Sequence, residues 1–286
     1  MERTEIDKTE WDKIITPRKK LFDLSFNEIW CYRGLVFMLV KRDFITYYKQ
    51  TILGPLWYLV QPICSTLMYL IVFGNFAKIG TDSIPQILFY FSGTMLWTFF
   101  SGNFVSVSNV FFENKGLFGK IYFPRLVVPI SITVGKILKM GIQFLLFFCL
   151  YLYYLLKGMI NLPSINIILF PVVIIWIAMI SVGSGMIISS ITTKYRDIAL
   201  VFDFFISLLM YATPVVYPVS QVPGKLRTVL CLNPLSAPIE LFRLAFFDMA
   251  SIPIWSVVYS ILMTILLLTV GLIVFNQNEQ IFVDVI

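Results

Sequence analysis

Histidine is absent from this 286-residue chain, and only 13% of its residues are charged. Without imidazole the chain lacks the commonest metal ligand and the usual general base at neutral pH. Its four cysteines, Cys31, Cys64, Cys149 and Cys231, are far apart and show no metal-ligand spacing, so they read as small apolar fillers. No metal site is expected. There is no phosphate-binding G-x-x-x-x-G-K-[ST] run either. Gly119-Lys120, Gly135-Lys136 and Gly224-Lys225 each lack the following Ser or Thr and the upstream glycine. If ATP drives this protein, another polypeptide binds it. D-x-D, Ser–His–Asp and H-E-x-x-H sets are missing, which argues against an enzyme and leaves a membrane-embedded transferase or protease without a visible catalytic set. The first fifty residues are polar, with no short apolar run ending in a small-residue cleavage site, so no secretory signal is expected.

What the chain has in quantity is apolar surface, 58% of its residues. A soluble domain is about half apolar and about a quarter charged, so this composition fits an integral membrane protein. A helix needs about 20 apolar residues to cross about 30 Å of hydrocarbon. Six runs meet that measure: Leu56–Phe76, Ile84–Val107, Val127–Leu156, Ile165–Ser189, Ile198–Tyr217 and Ile254–Phe275. With the N-terminus inside, 17 Lys and Arg fall on the inner side and 5 on the outer. That excess places both termini in the cytoplasm, although the C-terminal tail contains no Lys or Arg.

Residues 41–62 organise the rest. Their first half is basic and aromatic, their second half opens the first apolar run, and Gly54-Pro55 marks a helix boundary between them. Residues 29–53 therefore read as an amphipathic helix on the membrane surface, after a polar lead over 1–28. A six-span domain covers 54–275, and a tail covers 276–286. Between spans two and three, residues 109–125 set Val110, Phe111, Leu117, Phe118, Ile121 and Tyr122 among polar residues, as in a short cytoplasmic helix stopped by Pro124. Residues 213–248 hold Pro214, Pro218, Pro223, Pro234 and Pro238. They are too apolar for a solvated loop and too broken for one span, so two short re-entrant helices are expected, near Lys225–Cys231 and Pro238–Phe247.

Lys136, Lys139 and Asp203 are charges inside these runs. Charges at membrane depth face a partner or a cavity, or snorkel to the interface. A Lys–Asp203 contact and partnerless snorkelling both remain open. In the second run Trp97, Phe100, Phe104 and Phe111 recur at helical spacing.

Several motifs, in order, resemble the ABC-2 type permeases that export O-antigen, capsule and teichoic-acid polymers. They are Arg42-Asp43 with Tyr48-Lys49-Gln50, then Leu53-Gly54-Pro55-Leu56-Trp57 and Pro62. Asn114, Leu117, Lys120-Ile121-Tyr122-Phe123-Pro124-Arg125 and Pro129 follow. Next come Gly185, Ser189 and Tyr195-Arg196-Asp197-Ile198. Thr213-Pro214-Val215-Val216-Tyr217-Pro218, Val222-Pro223, Leu232-Asn233-Pro234-Leu235 and Arg243 precede a closing Glu279, Phe282, Asp284 and Ile286. The family's basic residues after the last span are replaced here by Asn276-Gln277-Asn278.

The resemblance implies an all-α membrane protein with six transmembrane helices, an N-terminal amphipathic interfacial helix, a cytoplasmic coupling helix and outer re-entrant helices between spans five and six. It also implies a homodimer in the bacterial inner or plasma membrane and two copies of a separate ATPase that binds ATP and Mg. The cargo it implies is a lipid-linked glycan, and no nucleic acid. In that frame Arg33, Lys41, Arg42 and Lys49 are candidates to hold the substrate headgroup, against plain attraction to anionic lipid. Trp57, Trp97, Phe100 and Phe104 are candidates for a sugar path, against lipid contact or packing. Glu113, Asn114, Lys115, Leu117 and Phe118 are the coupling segment toward the ATPase. An ABC-2 exporter of a drug or lipid is the nearest alternative, and a membrane-embedded glycosyl- or acyltransferase a more distant one.

Overall fold

The structure, a computed structural model, describes residues 30–49, 54–118, 123–163, 165–192, 197–249 and 252–285. The polar lead 1–28, and the motif residues Gln50, Leu53, Lys120, Ile121, Tyr122, Tyr195, Arg196 and Ile286, lie outside them. Among the described residues all regular structure is helical. The order is α1 (Arg33–Lys49), α2 (Trp57–Tyr69, continued by a π-helical stretch Leu70–Phe76), α3 (Gln86–Ser108), α4 (Val110–Glu113), α5 (Lys115–Phe118), α6 (Val127–Leu156), α7 (Leu169–Thr192), α8 (Asp197–Leu209), α9 (Gly224–Cys231), α10 (Ser236–Phe247) and α11 (Ile254–Val285).

Local chemistry sets several boundaries. Gly54 takes φ +50, which a side chain would resist, and a 3-10 turn over Gly54–Leu56 leads into α2. Pro85, with ψ 126, opens α3, and the preceding turn is tied by Thr81 Oγ1 donating to Ile84 O at 2.6 Å. Pro223 opens α9 and Asp248, at φ 54, closes α10. Asn233 holds the corner between α9 and α10. Its Nδ2 donates to Ala212 O and Thr213 Oγ1, both at 2.9 Å, and its Oδ1 accepts from Leu235 N at 3.0 Å.

Among the described residues four helices are long and apolar enough to cross a membrane: Trp57–Phe76, Val127–Leu156, Ile165–Thr192 and Ile254–Gln277. The pair α9–α10, bent by 93°, would be a fifth if it counts as one broken span. The expected six are thus not reproduced by length and composition. The second expected run is a 23-residue helix, α3, of about 34 Å. Ser92, Thr94, Thr98, Ser101 and Asn103 lower its hydropathy, and its neighbours rather than lipid cover most of it. The fifth differs more. Helix α8 stops at Leu209 after 13 residues, about 20 Å, short of the hydrocarbon thickness. Turns then run through 210–217 with Val215 fully buried, so this stretch is packed into the protein instead of continuing as a span. Two short helices stand close to the positions expected for re-entrant ones, α9 and α10. The coupling segment is two single helical turns that meet at Asn114, not one helix. Helix α11 carries straight past Phe275 to Val285, so no break separates the last span from the tail.

Helix α7 lies at the centre, between α11 and α3. A Cβ on Gly271 would stand 2.5 Å from Gly183 O, and one on Gly183 would stand 2.8 Å from the backbone of Leu267. On another face of α7, a Cβ on Gly185 would stand 2.9 Å from Val107. Such small-residue contacts let helix backbones meet in a bilayer, where apolar burial gives little drive. Trp176 Nε1 adds a 2.8 Å bond to Thr264 Oγ1 between α7 and α11. Around α10 the rings of Phe147, Phe170, Phe242 and Phe246 pack edge to face, with Phe147 and Phe246 centroids 5.2 Å apart.

Gly271→Ala should lower the melting temperature of the purified protein, since overpacking at a backbone contact costs about 1–3 kcal/mol. Gly141→Ala, where nothing lies within 4 Å of the new methyl, should leave it level or raise it.

Candidate functional site

One face of α6 is polar over a stretch of eleven residues, about 15 Å of helix. Thr133, Lys136, Lys139 and Gln143 share that face by their three- and four-residue spacing. Thr133 Oγ1 shares its proton between Pro129 O at 2.8 Å and Asn103 Oδ1 at 3.2 Å, and Asn103 Nδ2 donates to Ser181 Oγ at 2.7 Å. This buried chain of bonds joins α6, α3 and α7. At the other end Gln143 Nε2 donates to Tyr58 O at 3.1 Å and joins α6 to α2. The two lysines lie between these anchors, both half-buried. Lys139 Nζ sits 4.7 Å from the Tyr58 ring centroid, a cation–π contact. Lys136 Nζ faces Gly102, 3.6 Å from where a Cβ would be.

The carboxylates that act on these lysines come from outside the stripe. Asp43 of α1 attracts both, and Glu113 of α4 attracts Lys136. Loss of water pushes the Glu113 carboxyl above its usual range, against the pull of Lys136 and with the push of Asp43. The expected partner, Asp203, is exposed on α8, and its backbone carbonyl accepts from Ser207. Helix α8 packs mainly on α7 and α3 rather than along α6. The lysines' counter-charges therefore come from α1 and α4.

The α1 cations Arg33, Lys41, Arg42 and Lys49 are all exposed. Arg33 lies 5.3 Å from the Trp30 ring centroid. Arg42 is already engaged: Nε and Nη2 stand 2.8 and 2.7 Å from Asp43 Oδ1. Leu39 and Val40 turn inward, and α1 packs along α6.

The candidate sugar-path rings divide. Trp97, Phe100 and Phe104 are 7%, 4% and 4% exposed, and Phe100 stacks on Phe104 with centroids 6.1 Å apart. They are core of the single chain, because α3 is enclosed by α6, α7 and the turn after α8. Of the four, only Trp57 is exposed. The coupling segment divides too. Phe118 turns inward onto Phe111, Phe123 and the Arg125 guanidinium, and Leu117 packs on the same cluster. The outward side of α4 and α5 shows Phe112, 59% exposed, with Glu113 and Lys115, while Asn114 ties back to Val110 O.

A second polar site lies about 20 Å along α3, near Phe89. Arg243 and Glu240 of α10 are 2% and 3% exposed and 2.6 Å apart. Arg243 Nη2 donates to Val215 O at 3.2 Å, and its guanidinium lies 3.8 Å from the Phe89 ring centroid. The pair fixes the turn after α8 against α3 and α10. Three spaced signals in the sequence carry these features: the Thr133–Gln143 polar period, the Glu240–Arg243 pair and the apolar Phe112 beside Glu113.

The ABC-2 type transporter family profile matches residues 34–247, from α1 to the end of α10. The chain belongs to that family. Among its relatives is the O-antigen export system permease protein RfbA of Myxococcus xanthus, 26% identical over 223 residues, 77% of this chain and 83% of that one. RfbA of Klebsiella pneumoniae is 25% identical over 88% of this chain and 95% of its own length. The capsule polysaccharide export inner-membrane protein CtrC of Neisseria meningitidis is 23% identical over 90% and 96%. This ABC-2 chain is a multi-pass membrane protein, the membrane part of a transporter. Its match to the family covers both polar sites.

Breaking the Arg243–Glu240 pair on one side strands a buried charge, at a cost of about 3–5 kcal/mol. Glu240→Gln and Arg243→Met should each lower thermal stability by that order, and the double variant should recover most of it. Additive losses in this cycle would mean that the two charges do not depend on each other.

Proposed function

We propose that this chain is the permease subunit of an ATP-driven exporter that moves a lipid-linked polysaccharide, of O-antigen, capsule or teichoic-acid type, across the bacterial inner or plasma membrane. The observation that carries the reading is similarity along nearly the full length of both partners to permeases named for O-antigen and capsule export. The absence of a phosphate-binding loop in the sequence supports a separate ATPase, present as two copies, that holds ATP and Mg. Two copies of this chain form the path between them. Both termini face the cytoplasm, in keeping with the Lys and Arg bias. Helix α1 lies at the inner interface, where its exposed Phe37, Met38 and cations meet the acyl and headgroup layers.

In this arrangement the inner end of the bundle is the one that bears α1, α4 and α5. The ATPase docks on Phe112, Glu113 and Lys115, because these turn outward while Leu117 and Phe118 are needed by the chain's own packing. An exposed ring flanked by opposite charges suits a groove on a partner, and such anchors dominate interface energy.

Two measurements test this. Deletion of the gene should remove the polysaccharide from the cell surface, and the wild-type gene should restore it; a surface glycan unchanged by deletion would reject the export reading. Phe112→Asp should then abolish co-purification of the ATPase while melting stays near wild type. Leu117→Asp should lower the melting temperature first. Full ATPase recovery with Phe112→Asp would move the docking surface elsewhere.

A further inference from the structure

We propose that the end of α2 that leads to α3 is a register switch. Leu70–Phe76 keeps a wide, π-helical register while a hydrogen bond from Ser220 to Asp82 clasps the connection that follows, and it winds into α-helix when that clasp opens. The inference goes beyond the export reading and takes from it only that this end, opposite α1, α4 and α5, faces outward.

Helix α2 runs as α-helix to Tyr69 and then as π-helix over the seven residues Leu70–Phe76. Such stretches are rare, mostly single turns, and frequent at functional sites. Nothing in the local sequence demands this one. It holds no proline to remove a donor, and Pro62 lies well before it. Leu, Ile, Val and Phe all enter α-helices. The wide register is therefore held from outside. At its start Tyr69 Oη donates to Met210 Sδ at 3.2 Å. At its middle Gly74 lies against α3, where a Cβ would stand 2.9 Å from Gln86 Oε1. Past its end Ala77 N donates to Val72 O and Ile79 N to Phe73 O, both at 2.9 Å, which carries the wide spacing into the connection.

That connection is strained. Lys78, Asp82 and Ser83 have φ of 52, 47 and 66, so three of the four left-handed residues other than glycine among the described residues fall between positions 78 and 83. Lys78 stands just past the helix end, where glycine is usual. Asp82 and Ser83 are the central pair of a turn closed by Ile84 N donating to Thr81 O at 2.9 Å, and two left-handed central residues favour Gly or Asn. Such a backbone persists only where its surroundings hold it. Here they are the 3-10 turn Val219–Gln221 that follows α8. Ser220 Oγ donates to Asp82 Oδ2 at 2.6 Å, and a Cβ on Gly80 would collide with Gln221 Nε2. The Ser220 side of the clasp is anchored, since Arg243 Nη2 donates to Val215 O just before it. The bond itself is exposed, so water can replace either partner at little net cost. Once it opens, the left-handed residues relax and Leu70–Phe76 closes to α-helical bonds. Both registers pair N–H with carbonyls inside the helix, so the switch runs at membrane depth without stranding a polar group. One residue of register turns all that follows by about 100°, the angular step of an α-helix. Phe73, now 6.0 Å from the Tyr69 ring centroid, and Phe76, now 80% exposed, then change faces, and the connection lifts from 219–221.

Two experiments test the switch. In the first, the full chain with Cys31→Ala, Cys64→Ala and Cys149→Ala is placed in phosphatidylcholine nanodiscs, and spin labels on Phe76→Cys and Val229→Cys report their distance by pulsed electron resonance. The parent should show one main distance. Asp82→Ala with Ser220→Ala should add a second, from the rotated register, while Asp82→Asn, which keeps an acceptor for Ser220, should match the parent. An unchanged distance in the double Ala variant, with melting near wild type, would overturn the switch. In the second, Asp82→Cys with Ser220→Cys is oxidised in cells, which locks a contact already made in this structure. A fixed turn would not notice the lock. A switch used in transport should lose surface polysaccharide when oxidised and regain it on reduction, and full export with the disulfide formed would overturn the proposal. This lock decides the matter if the double Ala variant does not fold. If gene deletion leaves surface polysaccharide unchanged, the export reading falls by itself, and the label distances alone judge the switch.

Discussion

The backbone of α7 touches α11 through Gly183 and Gly271, and α3 through Gly185. Lipid tails are as apolar as leucine, so helices in a bilayer gain little by hiding apolar surface from one another. Close approach and internal polar bonds must hold them. These glycines supply the approach and Trp176 to Thr264 one such bond. Once α7 fixes α3, Asn103 reaches Ser181 on one side and Thr133 on the other. That bond orients α6 and turns its lysines toward α1, α3 and α2. The polar face of α6 is thus set in place through helix contacts that begin at the glycines of α7.

The same constraint shapes the far end. Backbone that leaves a helix at membrane depth must find its partners within the protein. After α8 the chain does so through Val215 O, which accepts from Arg243, and through Ala212 O, which accepts from Asn233. Arg243 can sit there because Glu240 neutralises it one turn away and Phe89 offers a ring face. A buried pair of this kind adds little net stability beside an apolar substitute, but it specifies one geometry for a proline-rich turn.

Much of this was legible from residue order. Gly54 and the proline before α9 act through backbone sterics that need no neighbours, so those breaks fell where they were expected. The bent pair α9–α10 followed from proline spacing in an apolar stretch. The aromatic stripe was visible as a period, yet its use was not. Trp97, Phe100 and Phe104 have the same spacing whether they face a sugar or a core, and only the enclosure of α3 separates the two. Likewise Leu117, Phe118 and Phe112 are all apolar residues in one short segment. Which of them faces outward depends on how two single turns meet at Asn114.

Composition by itself determined that the chain lives in a membrane. The ordered motifs gave the family. Those properties come from sums and local sterics, which do not depend on the fold. Tertiary structure alone decided the partners of the charges. Asp203 and the α6 lysines were comparable candidates by depth, but α8 packs mainly on α7 and α3 and leaves Asp203 exposed. Asp43 and Glu113 act on Lys136 from elsewhere in the sequence, because α1 packs along α6 and α4 follows directly on α3. Electrostatic attraction acts over distance in space, and distance in space is what the order of residues does not state.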